Sequence, residues 1–267
     1  MDKIVILGTG KAHVTECYNS CFALCDGEEC LLVDGGGGNG ILIALKKADI
    51  CWQQIHNIFV THEHIDHLFG VIWAIRLISF EMLSKKYDGD LQIFCNTEVY
   101  DRIIAICQMT LQSKMFSLFG TRIFLHRIND GETRQIMNYE FTFFDIHSSA
   151  ALQFGFSAKL TDGQKLTILG DERFDPACVN YVYGSDWLLS DAYCLDSESC
   201  IFHPNAIHHS TVKDACEAAQ LLHVKNLILW HTEDTHIYER KNLYEAEGQQ
   251  YFSGNLYVPN DLDIIEL

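Results

Sequence analysis

Three prolines in 267 residues leave little room for a proline-rich linker, so the chain is expected to form a single domain over residues 1–267. Basic residues are also scarce, with 19 Lys+Arg against 36 Asp+Glu and a net charge of −17. A protein that grips a nucleic-acid backbone normally carries a basic face, so this balance argues against a large polyanionic partner. No apolar run approaches the roughly 20 residues of a membrane span, which excludes a membrane partner of that kind. The opening "MDKIVILGTG" has one lysine, a short apolar run and then glycines, and reads as a first strand, not a signal peptide. There is no Walker A sequence and no C-x-x-C pair. Eleven cysteines are many and odd in number, and Cys25, Cys95, Cys107 and Cys216 lie in apolar runs. They are expected to be reduced thiols of a cytoplasmic protein. Cys17, Cys21, Cys25 and Cys30 are spaced too widely for a zinc knuckle.

What the chain does have is a large apolar fraction, 48%, in short runs bounded by Gly, Asp or Asn. "KIVILG", "CFALC", "CLLVD", "NIFVT", "LQIFC", "RIFLH", "EFTFFDI", "LQFGFSAKL", "KLTILGD", "DWLLSD" and "NLILWH" read as strands. Many lack alternation, so both faces of their sheets should be covered. Helices are expected over residues 66–86 and 97–119, and over 211–223, where Thr211 and Asp214 have capping-box spacing. The expected fold class is therefore α/β (α+β), in layers with the sheets inside.

The segment "VTHEHIDHLFG" places His62, Glu63, His64, Asp66 and His67 within six positions. Side chains alternate along an extended chain, so His62 and His64 face one way and Glu63 another. Asp66 and His67 then begin the long helix. A strand end and a helix start can so converge four ligands, and imidazole with carboxylate suits Zn, Fe or Mn. The zincin pattern H-E-x-x-H fails, because Asp66 stands where its second histidine would be. A merely polar, His-rich loop would suffer repulsion among its protonated imidazoles. Four ligands suffice for one closed structural zinc, whereas a catalytic centre keeps an open position. Three further apolar runs end in ligand-type residues: "EFTFFDIH" in His147, "KLTILGD" in Asp171 and "NLILWH" in His231.

The order H-x-H-x-D-H, then His, Asp and His, resembles the metallo-β-lactamase superfamily. The resemblance runs from residue 4 to about residue 235. It implies an αββα four-layer sandwich of two mixed sheets with metals at one edge. It also implies that His62, His64 and His147 hold one divalent transition metal, and Asp66, His67 and His231 a second, with Asp171 bridging. Zn is the first expectation for both, with Mn or Fe as alternatives. Asp34 in "LLVDGG" matches an aspartate that supports the site without being a main ligand, and Glu63 falls to a supporting or surface position. Within the superfamily the chain is most similar to ribonuclease Z, through "LGTGKAHVTECYNSCFAL" and "HHSTVKDACEAAQLLHVKNLILWHTED". That similarity makes His209 the proton donor to the leaving group. Asp191 in "LLSDAYC" is then the acid that orients it. Dimers are common among such relatives, so a homodimer is an implied assembly.

Two departures matter. Ribonuclease Z carries a long arm that grips tRNA, inserted between the histidine and the aspartate that His147 and Asp171 match. Here that interval is 24 residues, filled by two strands and a turn at "TDGQ". The arm is missing, and with the acidic balance this points away from tRNA. The second departure is "GDER", where relatives commonly have threonine after the aspartate.

Rival readings are weaker. "GGGGNG" at 35–40 satisfies G-x-G-x-x-G, but a run of glycines does so cheaply, and Asp34 precedes it. A diiron redox enzyme of the superfamily would have glutamate in place of His64 and a flavodoxin domain besides. A non-catalytic metal binder would not need the proposed proton donor. His56, His126, His223 and His236 are expected to serve packing or the surface. His13 is a candidate pocket residue, Lys11 and Arg173 are candidate binders of a substrate anion, and His203 and His208 have no assigned role. The expected reaction has Asp66 and the other ligands hold metals that activate a water. His209, oriented by Asp191, protonates the leaving group. A small or short nucleotide-type phosphodiester is the expected substrate, and a carboxylic ester, thioester or lactone the alternative.

Overall fold

The structure, a computed structural model, describes residues 2–267, which group into two compact units. The first holds residues 2–8, 18–128 and 262–267, and the second residues 9–17 and 129–261.

In the first unit come β1 (Asp2–Gly8), β2 (Cys21–Asp26), β3 (Glu29–Val33), β4 (Ile55–Val60), β5 (Leu91–Cys95) and β6 (Ile123–Arg127). Its helices are α1 (Gly40–Lys47), α2 (Ile65–Leu83), α3 (Thr97–Thr110) and α4 (Ser113–Phe116). The second unit holds β7 (Thr133–Ile136), β8 (Tyr139–Asp145), β9 (Phe154–Lys159), β10 (Lys165–Ile168), β11 (Trp187–Asp191), β12 (Asn226–Trp230) and β13 (Asn255–Tyr257). Its helices are α5 (Val179–Val182), α6 (Ser199–Phe202), α7 (Val212–Leu221) and α8 (Arg240–Gly248). The chain's last strand, β14 (Ile264–Glu266), returns to the first unit.

Each unit has one seven-stranded mixed sheet. The first runs β14-β1-β2-β3-β4-β5-β6, antiparallel from β14 to β3 and parallel from β3 to β6. The second runs β13-β12-β11-β10-β9-β8-β7, parallel from β13 to β10 and antiparallel beyond. Strands β1 to β5 are buried almost throughout, as apolar runs without alternation require of a sheet covered on both faces. Helix α2 buries Leu68, Val71, Ile75, Ile78 and Met82, a three-and-four spacing along one stripe, against a core that includes Ile58 and Val60 of β4. In the second unit α7 buries Val212, Ala215, Cys216 and Ala219 against a core with Leu188, Leu227 and Leu229. Thr211 and Asp214 form the expected capping box at its start.

Parallel strands bring their carboxyl ends to the same edge of a sheet, the usual place for a ligand in α/β proteins. In the first unit β3 and β4 pair Val33 with Phe59, so Asp34 and Thr61 emerge side by side. In the second unit β10, β11 and β12 pair Ile168 with Leu189 and Asp191 with Trp230. Asp171, Asp191 and His231 therefore emerge at one edge. Strand β8 runs in the same direction, two strands over from β10, and delivers His147 to that edge.

The interval between His147 and Asp171 contains β9 and β10, joined by a tight turn at residues 161–164 with Gly163 at φ +90°. Three expectations need correction. The helix expected over 97–119 stops at Thr110, because Leu111 and Gln112 are extended (ψ 151° and 143°) before the short α4. The cysteines are not all reduced: Cys25 and Cys30 face each other across the β2–β3 hairpin and form a disulfide. Nine others are free thiols, and burial pushes Cys95, Cys107 and Cys216 up to about 12, which makes them inert at neutral pH. Lastly, β7, β13 and β14 had no strand signal in the sequence.

Candidate metal centre

In the first unit the segment after β4 gathers the imidazoles. His62 lies on the extended chain, His64 is the residue before α2, and Asp66 and His67 occupy its first turn. The ring centroids of His62 and His64 are 4.4 Å apart, and those of His62 and His67 4.2 Å. His62, Asp66 and His67 are buried, while His64 is exposed. Glu63 points away, as alternation requires, and pairs with Arg102 at 3.1 Å.

Asp34 is fully buried, at φ 57°, directly after β3. Its Oδ1 accepts the Thr61 N–H at 2.8 Å. Its Oδ2 accepts the Thr61 hydroxyl and His67 Nδ1, both at 2.8 Å. A carboxylate only accepts, so Nδ1 carries the His67 proton and Nε2 is the basic atom. The Thr61 hydroxyl, having donated to Asp34, accepts His62 Nδ1–H at 2.9 Å, and His62 takes the same tautomer. This is the second layer by which proteins orient metal-ligating histidines. His67 Nε2 then faces Asp66 Oδ2 at 3.5 Å. Two acceptor atoms that near, with the ring proton on the other side, are arranged like two ligands of one cation.

The glycine run after Asp34 has a packing cause. Gly35 N–H donates to His67 O at 2.9 Å, and Gly70 N–H to Gly36 O at 2.7 Å. A Cβ on Gly70 would come within 1.6 Å of Gly35 O. The loop thus lies directly on the first turns of α2, and "GGGG" serves that approach, not a dinucleotide.

The second unit repeats the pattern with other residues. Asp191, fully buried at the end of β11, accepts His231 Nδ1–H at Oδ1 (3.1 Å). Its Oδ2 accepts His209 Nδ1–H (3.3 Å) and the Ser210 N–H (2.7 Å). Polar atoms of Asp191, His209 and His231 lie within 4.8 Å of one another. His231 Nε2 faces Asp171 Oδ2 at 3.5 Å, again two acceptors turned toward a common point. Asp171 Oδ1 accepts from the buried Gln153 amide, which holds the other oxygen toward His231. His209 is 15% exposed, and its ring stacks with those of His231 (5.1 Å) and Tyr193 (4.7 Å). Lys11 lies over Tyr193, 4.8 Å from the ring centroid, and its N–H bonds Thr232 O.

His147 sits at the same sheet edge at φ 60°, exposed, with its N–H on Asp145. It joins none of these histidine and carboxylate groups within the second unit. Asp34 and His231 directly beyond strands, and His147 two residues beyond β8, are all non-glycine residues in the left-handed region, a conformation that collects at functional sites. Arg173 is engaged by Asp214 and Asn205, so it braces the loops beside His209 and α7. Glu172, the departure in "GDER", accepts the Ser148 hydroxyl at 2.5 Å and ties the loop after His147 to the one after Asp171. His56, His126, His223 and His236 pack against Tyr87, Phe94, Tyr183 and Glu198 respectively. His13, His203 and His208 are exposed.

Comparison with known proteins agrees with this geometry. Curated relatives include ribonuclease Z of Thermococcus sibiricus, 27% identical over 100% of this chain and 97% of its own. Ribonuclease Z of Nitrosopumilus maritimus is 24% identical over 92% and 94%. Among solved structures, the metallo-β-lactamase fold protein YhfI of Bacillus subtilis superposes with a TM-score of 0.81 at 14% identity, covering 100% of this chain and 99% of its own. The short form of human tRNase Z gives 0.76 at 21% identity, covering 99% and 98%. The fold is thus the metallo-β-lactamase fold, and the curated relatives that the chain resembles over most of its length are named ribonuclease Z. The profile of the family described as "Anti-Pycsar protein Apyc1" matches residues 2–252, and the chain belongs to that family.

Proposed function

We propose that the chain is a metal-dependent hydrolase that cleaves a small or short nucleotide-type phosphodiester, such as a cyclic nucleotide. The observation that carries this reading is Asp191–His209, a proton-donor dyad with its imidazole stacked on His231. His62, His64, Asp66 and His67 from the first unit, with His147, Asp171 and His231 from the second, would hold two divalent ions, zinc first among them. A single hydrolase domain over residues 1–267 belongs to the same proposal. The donor set fits such ions: imidazole and carboxylate together, with each Nδ1–H engaged and each Nε2 facing a carboxylate in the pairs His67–Asp66 and His231–Asp171. When bound, such ions polarise a phosphoryl oxygen and activate water near neutral pH.

The chain's own residues do the rest. Asp34 and Asp191 hold the imidazoles in one tautomer, so ligand atoms need no rearrangement. His209 holds a proton at Nε2, on the ring edge away from Asp191, and gives it to the departing oxygen. A small substrate fits the 24-residue interval that lacks a tRNA-gripping arm and the net charge of −17. Relatives named ribonuclease Z and a structural neighbour named as a diphosphatase of the PhnP family support phosphorus as the reacting centre. A cytoplasmic setting belongs to the same proposal; nine of the eleven cysteines are free thiols, beside the Cys25–Cys30 disulfide.

The test is a zinc-reconstituted screen of bis-p-nitrophenyl phosphate, 2′,3′- and 3′,5′-cyclic nucleotides, lactones, thioesters and a precursor tRNA. Turnover of cyclic nucleotides well above the other substrates is expected. Preference for lactones or thioesters, or for the tRNA, would overturn the substrate class.

A further inference from the structure

Asp191 contacts more than the proton donor. Its two oxygens divide between two imidazoles: Oδ1 takes His231 Nδ1–H and Oδ2 takes His209 Nδ1–H together with the Ser210 N–H. The side chain is fully buried at the last position of β11, and the two rings it holds stack at 5.1 Å with 22° between their planes. We propose that Asp191 is a shared anchor, one carboxylate that fixes the tautomer of both the ligand His231 and the donor His209. Retention of the metal and protonation of the leaving group then depend on the same side chain. This inference rests on the reading of His231 as a ligand.

The physical reason lies in hydrogen-bond parity. An imidazole that donates from Nδ1 keeps its lone pair on Nε2, and that is the atom His231 turns toward Asp171 Oδ2. An amide in place of the carboxylate has one acceptor and one donor. Two N–H groups, His209 Nδ1–H and Ser210 N–H, compete for the acceptor at the Oδ2 position. The amide NH2 is left facing His231 Nδ1. That ring then meets a donor with a donor unless it changes tautomer, which moves its proton to Nε2. A wrong tautomer with unchanged heavy-atom positions is an established way to disable a catalytic imidazole. Here it would also block a metal ligand. Asp191 is thus a positioning residue for two different steps.

The test measures zinc affinity by competition with a chromophoric chelator, besides activity. Asp191→Asn is expected to bind its weaker zinc ion about 10–100-fold less tightly. It is also expected to lose activity on poor leaving groups. His209→Ala should show only the second defect, with zinc affinity unchanged. In the intact zinc-loaded protein, 15N-labelled histidine spectra should report Nδ1 as protonated in both rings and Nε2 of His231 as unprotonated, a readout that needs no variant to fold. Wild-type zinc affinity in Asp191→Asn, or an Nε2–H tautomer at His231, would overturn the shared anchor. His231→Ala separates the two failures. If it retains both ions at full affinity, the ligand assignment itself is wrong. If it loses one while Asp191→Asn loses none, only the anchor is wrong.

Discussion

His209 is held by Asp191 at Nδ1 and by ring stacking with Tyr193 and His231. As the proposed donor, a ring so fixed would give up its proton in one direction, which matters for an alkoxide and little for a nitrophenolate. His209→Ala is therefore expected to lower kcat/KM on a cyclic nucleotide about 100-fold or more, in the range of general-acid catalysis. On bis-p-nitrophenyl phosphate the loss should stay within about fivefold, because that leaving group departs without a proton. Similar losses on both substrates would exclude His209 as the donor. At this scale the sequence was informative wherever a residue type is itself rare and chemical. Histidines and aspartates at the ends of apolar runs marked side chains that the fold gathers at the sheet edges. Gln153, Thr61 and Tyr193 did not stand out, although Gln153 binds Asp171, Thr61 links Asp34 to His62, and Tyr193 covers His209. Each is an ordinary residue whose role comes from what lies across the sheet. The second bond of Asp191, to His231, could not be read for the same reason: 40 residues separate the pair, and only the parallel pairing of β11 with β12 joins them.

The elements that deliver these side chains are mostly parallel strands and one helix. Eleven apolar runs marked strands correctly, because strands covered on both faces are written as continuous hydrophobic sequence. The missed strands are short or at an edge: β7 exposes Thr133, Arg134 and Gln135, and β13 and β14 have three residues each. Edge strands need little apolar sequence, so periodicity does not find them. The disulfide between Cys25 and Cys30 was hidden because residues in the strands of a hairpin pair only once the register is known. Helix α2 shows how packing overrides propensity. Gly70 lies inside it, where alanine would normally stabilise a helix by about 1 kcal/mol. Its Cα lies against the backbone of Gly35, so Gly70→Ala is expected to destabilise by roughly 1–3 kcal/mol or more. The melting temperature should fall by several degrees, measured calorimetrically, and metal content should fall with it as the Asp34 loop is displaced. A raised melting temperature would show that the loop does not rest on the helix.

For the whole molecule, the pattern of apolar runs and helices correctly indicated an α/β protein, but not the substrate. Net charge says nothing of where charge lies, and the substrate's size is read from a missing segment, not from a residue that touches it. What both units share is one device: a buried carboxylate that turns an imidazole so that its Nε2 faces a second carboxylate. Asp34, His67 and Asp66 do this in the first unit, and Asp191, His231 and Asp171 in the second. Repetition of that device on unrelated sequence is the strongest sign that each unit brings ligands to a metal. The decisive measurement is a zinc titration of chelator-treated protein, following bound metal and cyclic-nucleotide hydrolysis together. Two ions per chain are expected, with hydrolysis absent in the metal-free protein and restored as zinc is bound. Full activity without metal, or saturation with no zinc retained, would contradict the assignment of these residues as a metal-dependent catalytic centre.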